Sequence, residues 1–222
     1  MGTFHLDAGN PGSYPGTGTF WYDVSGNNYN AYGATASGNV NTPGNFPVWD
    51  SNDRGRLYFS GTKGLNIAGN MGSHTQGTHE VCLYRTDTGA SSRYIADARN
   101  GGGSWWLTNY LSYNINIHSR LQVNDPSTYQ HASSLWGRWI CLAITSDSSG
   151  SKLYVNGEEI TGDRVINSTA AIMNLGVNFR IGTRFTFSGG WQGYMSVYRI
   201  YNRVLSPSEI MQNYNDLKSR YE

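Results

Sequence analysis

The chain has 222 residues, of which 14% are charged, and 16 basic against 15 acidic residues leave a formal net charge of +1. With so little excess of one sign, the sequence offers no electric field to attract nucleic acid or an anionic membrane. The 28 glycines, 16 tyrosines and 7 tryptophans are a turn-rich, aromatic-rich mixture, which is typical of short strands rather than of a helical bundle.

The N-terminal stretch MGTFHLDAGNPGSYPG has neither a basic segment nor an apolar segment. This pattern predicts a chain without a secretory signal, made in the cytoplasm of its cell. No apolar run approaches the 18 or so residues of a membrane helix, so we expect no insertion into a membrane.

Runs of strand-forming residues recur along the chain between Gly-, Asn- and Pro-rich turn signals. After Lys152–Val155, the dipeptide Asn156-Gly157 predicts a tight hairpin turn, because both residues tolerate a positive φ. Strands spaced in this way predict an all-β fold, a two-sheet antiparallel sandwich or jelly roll. The clearer predicted strands are Arg56–Ser60, Glu80–Arg85, Ser104–Leu107, Tyr113–His118, Arg138–Thr145, Lys152–Val155, Asn178–Ile181 and Gly193–Tyr201.

One helix is predicted, over about residues 207–219. Ser206 stands at the N-cap, Pro207 at the first helical position and Glu209 at the third, which is the pattern of a capping box. The apolar residues that follow recur at helical spacing and predict a face packed on the body of one domain spanning residues 1–222. These residues are Ile210, Met211, Tyr214 and Leu217.

Two cysteines, Cys82 and Cys141, lie in apolar runs that read as strands. They can pair if those strands are neighbours. For a chain without a leader we expect buried free thiols instead, because disulfides are rare in the cytoplasm.

Two stretches carry a family resemblance: KLYVNGEEI at residues 152–160 and FRIGTRFTFSGGWQGYMSVYRIYNRVLSPSEIMQNY at residues 179–214. They resemble the concanavalin A-like, laminin-G-like jelly-roll family. The opening HLDAGNPGSYPGTGTFWYDVSGNN is similar to the start of such domains in phage and other viral structural proteins. The resemblance implies one concanavalin A-like domain over nearly the whole chain, with the predicted helix at its end.

An enzymatic function would follow from the glucanase relatives of this fold, in which a Glu-x-Asp-x-x-Glu strand supplies the catalytic carboxylates. No such run is present here. Glu80 has no carboxylate within six residues, and Glu158 and Glu159 are neighbours on a strand and point to opposite faces. We therefore predict a non-enzymatic protein and keep a glycoside hydrolase as a distant alternative.

A calcium site is one interpretation of the turn at residues 50–55. Asp50, Asn52 and Asp53 offer the oxygen ligands that calcium prefers, and several relatives of the resembled family bind this ion. The turn does not match an EF-hand loop. The alternative interpretation is an ordinary Asp- and Asn-rich turn without a metal.

A glycan-binding cluster is the second candidate site, after the glycine run at residues 101–103. Flat aromatic rings stack on sugars while amides bond the hydroxyl groups. If residues 104–107 are extended, neighbouring tryptophans face opposite ways, so ordinary core packing is the alternative. The candidate residues are Trp105, Trp106, Asn109, Tyr110 and Tyr113.

The leading functional hypothesis is a non-enzymatic viral structural protein on the virion surface, as a capsid decoration or a tail or knob component. Tyrosine and tryptophan are enriched at protein interfaces, so the expected partners are other virion proteins or a second copy of the chain. Binding to host-surface glycans would be an added role. The alternative hypothesis is a stand-alone lectin.

Overall fold

The structure is a computed structural model that describes residues 3–33, 41–87, 93–98, 105–110, 114–119, 127–130, 137–160, 163–165, 173–177, 179–184, 186 and 188–222. In residues 105–110, 114–119, 127–130, 163–165 and 173–174 it describes the backbone alone. Within this part of the chain the fold is almost entirely β. No helix in these ranges is long and apolar enough to cross a membrane.

The strands up to residue 97 are β1 Phe4–Asp7, β2 Phe20–Trp21, β3 Ala31–Gly33, β4 Val48–Asp50, β5 Arg56–Ser60, β6 Leu65–Ile67, β7 Ser73–His74, β8 Gly77–Arg85 and β9 Arg93–Asp97. They continue as β10 Trp105–Tyr110, β11 Asn114–Ser119, β12 Ser127–Gln130, β13 Trp139–Asp147, β14 Gly150–Val155, β15 Glu158–Glu159, β16 Asp163–Val165, β17 Met173–Asn174, β18 Arg180–Ile181 and β19 Gln192–Tyr201. Helix α1 spans Pro207–Lys218, and short 3-10 helices span Pro43–Asn45 and Asn52–Arg54.

Two antiparallel sheets hold most of these strands. The first sheet has the order β15-β14-β13-β8-β19-β5-β4, and β1 also pairs with β19. The second sheet has the order β16-β12-β11-β10-β9-β18-β6-β3-β2, while β17 and β7 form a separate short pair. The predicted two-sheet, all-β sandwich with a C-terminal helix is therefore confirmed.

The core lies between the two sheets, and the alternation of buried and partly exposed residues in β5 shows which face of this strand it covers. In β5 the side chains of Leu57 and Phe59 are fully buried, while their neighbours are partly exposed. Buried apolar residues of the second sheet join the same cluster, among them Trp21, Leu65 and Ile181. Burial of this kind is the main favourable term in folding.

The local sequence signals correspond to observed elements. β5 begins and ends where the sequence predicts, and Asn156 and Gly157 form the hairpin turn with φ of 53° and 85°. At the start of α1, Ser206 Oγ accepts a hydrogen bond from the Glu209 N–H at 3.3 Å. The Glu209 carboxylate accepts the Ser206 N–H at 2.8 Å, so both halves of the capping box are present.

The cysteines correct one expectation. Cys82 and Cys141 are register partners in β8 and β13, with their Cα atoms 4.0 Å apart, and they form a disulfide. The prediction of free thiols was therefore wrong, because the sequence does not reveal which distant strands are neighbours. The disulfide lies on the outer side of the first sheet, in a cluster with Val197 and with Leu217 of α1.

The sequence also predicts that Trp136, Trp139 and Trp191 belong to the sandwich core. Trp191 is fully buried, as predicted, and Trp136 lies outside the described residues. Trp139 is partly exposed on the outer side of the first sheet, where its ring stacks on Tyr221 with centroids 4.5 Å apart. Its neighbour Ile140 occupies the core position instead.

Candidate functional site

One row of aromatic and polar residues crosses the face of the second sheet that points away from the core. Their neighbours along the strands, such as Trp21, Leu65 and Ile181, are buried in the core, so alternation places the row on the opposite face. Strands β2, β3, β6, β18 and β9 contribute one residue each, in the register order Phe20, Tyr32, Asn66, Arg180 and Asp97. We call these five residues the cross-sheet row.

The β2 end of the cross-sheet row is aromatic and accessible. The Phe20 ring lies 6.1 Å from the Tyr32 ring and stacks on Tyr22 at 6.0 Å, with the two ring planes 19° apart. Tyr22 is 42% exposed and is, with Val48, one of the two exposed large hydrophobic residues in the described part of the chain. This end of the row therefore presents an open aromatic surface next to the polar middle.

The middle of the row is polar and buried. Asn66 and Arg180 are each 1% exposed, and Asp97 is fully buried. Asn66 Nδ2 donates a hydrogen bond of 2.9 Å to the Tyr32 hydroxyl, which links the polar middle to the aromatic end. The Asn66 Oδ1 atom is buried and has no hydrogen-bond partner among the described residues.

The middle of the row carries two charges of opposite sign. Burial lowers the pKa of the Arg180 guanidinium, and the nearby Asp97 carboxylate opposes this shift. The row therefore combines one buried amide with a buried pair of opposite charges. The buried set holds the Tyr32 hydroxyl in position through Asn66 and brings opposite charges together below it.

The predicted glycan-binding cluster lies partly beside this row. Trp105, Trp106, Asn109 and Tyr110 belong to β10, whose side chains are outside the described part, and Tyr113 is outside the described residues. The register places Trp106 opposite Asp97, so β10 extends the cross-sheet row by one position. The role of these residues in glycan binding stays a prediction.

The Arg56 side chain bonds the carboxylates of the turn that was predicted to bind calcium. Asp50 accepts two hydrogen bonds from Arg56, at 3.0 and 2.8 Å, and Asp53 accepts a further bond from Arg56 and one of 3.1 Å from Trp139 Nε1. Asn52 donates its backbone N–H to Asp50 at 2.9 Å. Among the described residues no group of three or more His, Cys, Asp or Glu is arranged to hold a metal. The turn thus has a structural partner, and calcium binding stays a prediction.

Glu80, the carboxylate considered in the sequence for catalysis, stabilises the packing of helix α1. Its carboxylate accepts hydrogen bonds from Asn213 of α1 at 3.0 Å and from the Tyr201 hydroxyl at 3.3 Å, and Arg199 lies 3.7 Å away. Burial raises the pKa of Glu80, while these partners oppose the shift. The contacts assign this carboxylate to docking α1 on the first sheet.

A second surface is a cleft of about 350 Å³ between the β13–β14 hairpin and the start of α1. Its carboxylates already have local partners: Glu209 closes the capping box, and Asp147 accepts the Ser149 N–H at 2.8 Å. These contacts explain the residues as turn and cap structure. The cross-sheet row is therefore the better candidate site.

The sequence contains a weak signal for the cross-sheet row, which the predictions of candidate sites did not use. Asn66, Asp97 and Arg180 each stand between two core residues, in the triplets LNI, ADA and FRI. A polar residue with apolar neighbours on both sides of a strand position points to the opposite face. That pattern marks the residues one by one but does not reveal that they meet.

Three solved structures show the same fold. Domain 4 of AbnA, a GH43 extracellular arabinanase from Geobacillus stearothermophilus, solved with arabinotriose, has a TM-score of 0.67 and 16% identity, over 96% of this chain and 97% of that one. A botulinum neurotoxin type C structure, from work on cell entry dependent upon two ganglioside molecules, has a TM-score of 0.65 and 11% identity, over 97% of this chain and 51% of that one. Trypanosoma rangeli sialidase has a TM-score of 0.58 and 12% identity, over 98% of this chain and 33% of that one.

Comparison of the sequence with known families identifies the family of the chain. A search of curated proteins gave no match. The family model described as the concanavalin A-like lectin/glucanases superfamily, of the laminin-G type, matches residues 59–211. The resemblance to this family is thus confirmed, while its viral part gains no support. The chain belongs to the concanavalin A-like lectin/glucanase superfamily.

Proposed function

We propose that this chain is a non-enzymatic carbohydrate-binding domain whose glycan lies at the aromatic end of the cross-sheet row. The observation that carries the proposal is the open aromatic end at Tyr22 and Phe20, joined through Tyr32 to a buried polar middle. Binding sites for small polar ligands combine apolar and aromatic walls with a few placed polar groups. The row has both parts on one face of one sheet.

Each part of the row has a role in this proposal. The rings of Phe20 and Tyr22 stack on the apolar face of a sugar ring and bury its C–H groups. The Tyr32 hydroxyl, which accepts a hydrogen bond of 2.9 Å from the buried Asn66 amide, bonds a sugar hydroxyl and fixes the orientation of the ring. Strands β2 and β3 hold Phe20 and Tyr32 side by side, so little conformational entropy of these two residues is lost on binding.

Two of the structural neighbours support a glycan as the ligand. The arabinanase domain was solved in complex with arabinotriose, and cell entry of neurotoxin type C is described as dependent upon two ganglioside molecules. This chain spans nearly all of the arabinanase domain but about half of the neurotoxin chain, at 97% and 51%. The comparison with the arabinanase domain therefore bears on the chain as a whole.

A binding role is favoured over catalysis by the number of acids in the row. Most glycosidases need two carboxylates, about 5 to 10 Å apart, one as acid and one as nucleophile or base. Asp97 is the one carboxylate of the cross-sheet row, and Arg180 lies beside it. We therefore propose binding without hydrolysis, which an assay for released reducing sugar on any bound glycan tests directly.

The viral hypothesis is kept as a prediction without support from the comparisons. A role on a virion surface, with other virion proteins or a second copy of the chain as partners, is a finer statement than the family carries. The disulfide between Cys82 and Cys141 favours an oxidising compartment or the extracellular space as the working location, since thiols stay reduced in the cytoplasm.

The test is a glycan array on the purified protein, first with calcium and then with a chelator, followed by calorimetry on the hits. Tyr22→Ala should weaken binding by about tenfold, because the lost stacking contact is worth about 1 to 1.5 kcal/mol. Tyr58→Ala is the matched control. Tyr58 lies on the outer side of the first sheet, with its ring 5.1 Å from Tyr194, so binding should not change.

The outcomes separate the hypotheses. A blank array refutes the proposal and directs the work to protein partners. Equal losses in Tyr22→Ala and Tyr58→Ala show that the glycan does not lie on the cross-sheet row. Binding should survive the chelator, because Asp50 and Asp53 are already bonded to Arg56.

A further inference from the structure

A second row of apolar and aromatic residues crosses the outer face of the first sheet. Strands β4, β5, β19, β8 and β13 contribute one residue each, in the register order Val48, Tyr58, Tyr194, Tyr84 and Trp139. Val48 is 55% exposed, and the four rings are partly exposed. The solvent face of an antiparallel sheet is usually polar, so an apolar row of this length indicates a binding surface. We call these five residues the outer aromatic row.

The rings of the outer aromatic row stand at steep angles to one another. The Tyr194 ring makes angles of 53° with Tyr58 and 72° with Tyr84, with centroids 5.1 and 6.2 Å apart. The Trp139 ring stands at 66° to Tyr84, with centroids 5.9 Å apart. The row therefore presents ridges, whereas the aromatic end of the cross-sheet row has two ring planes only 19° apart.

The three tyrosines of the outer aromatic row carry hydroxyl groups that the described fold does not use. No group within the described ranges forms a hydrogen bond with the hydroxyls of Tyr58, Tyr84 and Tyr194. These hydroxyls are not among the buried polar atoms without a partner in the same ranges, so each of them reaches water. A tyrosine contacts apolar groups through its ring and donates to a carbonyl through its hydroxyl. The row thus fits a ligand with apolar groups and unbonded carbonyl oxygens.

The spacing of the outer aromatic row fits one backbone conformation of a peptide. Neighbouring strands lie about 4.8 Å apart, so every second member of the row recurs after about 9.6 Å. A polyproline II helix has about 3 residues per turn and rises about 9.3 Å per turn, and its carbonyl groups make no internal hydrogen bonds. Two residues one turn apart in such a helix, laid across the strands, therefore meet Tyr58 and Tyr84 in the same way. The same holds for Tyr194 and Trp139.

The charges of the turn beside the outer aromatic row match an uncharged ligand. Asp50 and Asp53 both accept hydrogen bonds from Arg56. The Arg56 guanidinium carbon lies 3.9 Å from the centre of the Tyr194 ring. Arg54 is the fourth charged residue of this turn, so the formal charges cancel. A balanced surface attracts neither nucleic acid nor an anionic membrane.

A cleft of about 150 Å³ continues the outer aromatic row past Trp139. The Tyr221 ring, which stacks on Trp139, forms part of the wall of this cleft. Arg138, Lys218 and Glu222 also line it, so its formal charge is only +1. The cleft offers room for a further residue of a peptide that extends beyond the row.

We propose that the outer aromatic row binds a proline-rich peptide segment in the polyproline II conformation. Proline rings pack between the tilted aromatic rings, and the tyrosine hydroxyls donate to carbonyl oxygens of the peptide. Because this conformation is largely formed before binding, little conformational entropy is lost. The site lies on the other sheet from the proposed glycan site and goes beyond the proposed function.

The inference is tested on the unchanged protein with synthetic peptides of ten residues. Decaproline and an array of peptides with proline at every third position are the probes, and a Gly-Ser repeat of the same length is the control. Fluorescence anisotropy then measures the affinity of each hit. Proline-rich peptides should bind with micromolar dissociation constants, whereas the flexible Gly-Ser peptide should not bind.

The double variant Tyr84→Phe/Tyr194→Phe removes two hydroxyls and keeps both rings. The melting temperature should not change, because neither hydroxyl bonds a group in the described part of the fold. The peptide should bind about tenfold more weakly, because two hydrogen bonds to its carbonyls are lost. The matched control is Tyr22→Phe, which removes a hydroxyl from the exposed Tyr22 on the other sheet and should leave peptide binding unchanged.

Each outcome decides one point. No binding by any proline-rich peptide, or equal binding of the Gly-Ser control, overturns the inference. Unchanged affinity in the double variant, or an equal loss in Tyr22→Phe, shows that the peptide does not lie on the outer aromatic row. A lower melting temperature of the double variant shows that the hydroxyls serve the fold instead. A dimer in sedimentation velocity that Val48→Lys dissociates assigns the row to a second copy of the chain and also overturns the inference.

Discussion

The disulfide between Cys82 and Cys141 should contribute strongly to the stability of the fold. The bond joins residues 59 positions apart, so in the unfolded chain it closes a long loop. The lost loop entropy corresponds to about 4 kcal/mol at 25 °C on the chain-entropy relation, and measured losses for native disulfides are about 2 to 5 kcal/mol. Reduction of the disulfide should therefore lower the free energy of unfolding by about 4 kcal/mol.

Reduction tests the contribution of the S–S bond alone, because it breaks this bond and leaves every side-chain carbon in place. The assay is urea unfolding followed by tryptophan fluorescence, with and without dithiothreitol, on the same preparation. The double variant Cys82→Ala/Cys141→Ala is the control. It should be as unstable as the reduced protein, apart from a small packing loss at Cys82, which is 3% exposed, and it should not respond to dithiothreitol.

Two results would refute the reasoning. Two titratable thiols in the unreduced, denatured protein would show that the bond does not form and that free thiols were the right prediction. A difference of less than about 1 kcal/mol between the oxidised and reduced forms would show that the cross-link scarcely restricts the unfolded chain.

Two further predictions concern stability. Ser206→Ala removes the acceptor for the Glu209 N–H and should lower the free energy of unfolding by about 1 kcal/mol, measured in urea, without changing glycan binding. A binding defect in the folded variant would contradict the assignment of this cap to structure. Burial lowers the pKa of His79 to about 3, against 6.5 in its ordinary state, so the unfolded chain binds the extra proton first as the pH falls. Acidification from pH 6.5 to about 4.5 should therefore remove about 2 kcal/mol from the free energy of unfolding through His79. The variant His79→Gln should lose this part of the pH dependence. An unchanged pH profile in that variant would assign the acid sensitivity to other groups.

Local signals in the sequence determined the parts of the fold that depend on neighbouring residues. The cap at Ser206 and Glu209 and the turn at Asn156-Gly157 follow from hydrogen bonds and φ angles within four residues. The alternation in β5 follows from its two-residue period. The family resemblance, carried by residues 152–160 and 179–214, also indicated the two-sheet sandwich, and the family model matches residues 59–211, which include most of these two stretches.

Only the tertiary structure decided which distant residues meet. The order β9-β18-β6-β3-β2 brings together Asp97, Arg180, Asn66 and Tyr32, which lie far apart in the chain and not in the order in which they stand in the sheet. The pairing of β8 with β13 likewise placed the two cysteines side by side. Strand order depends on how all the apolar faces are buried together, a property of the whole chain that no local pattern contains.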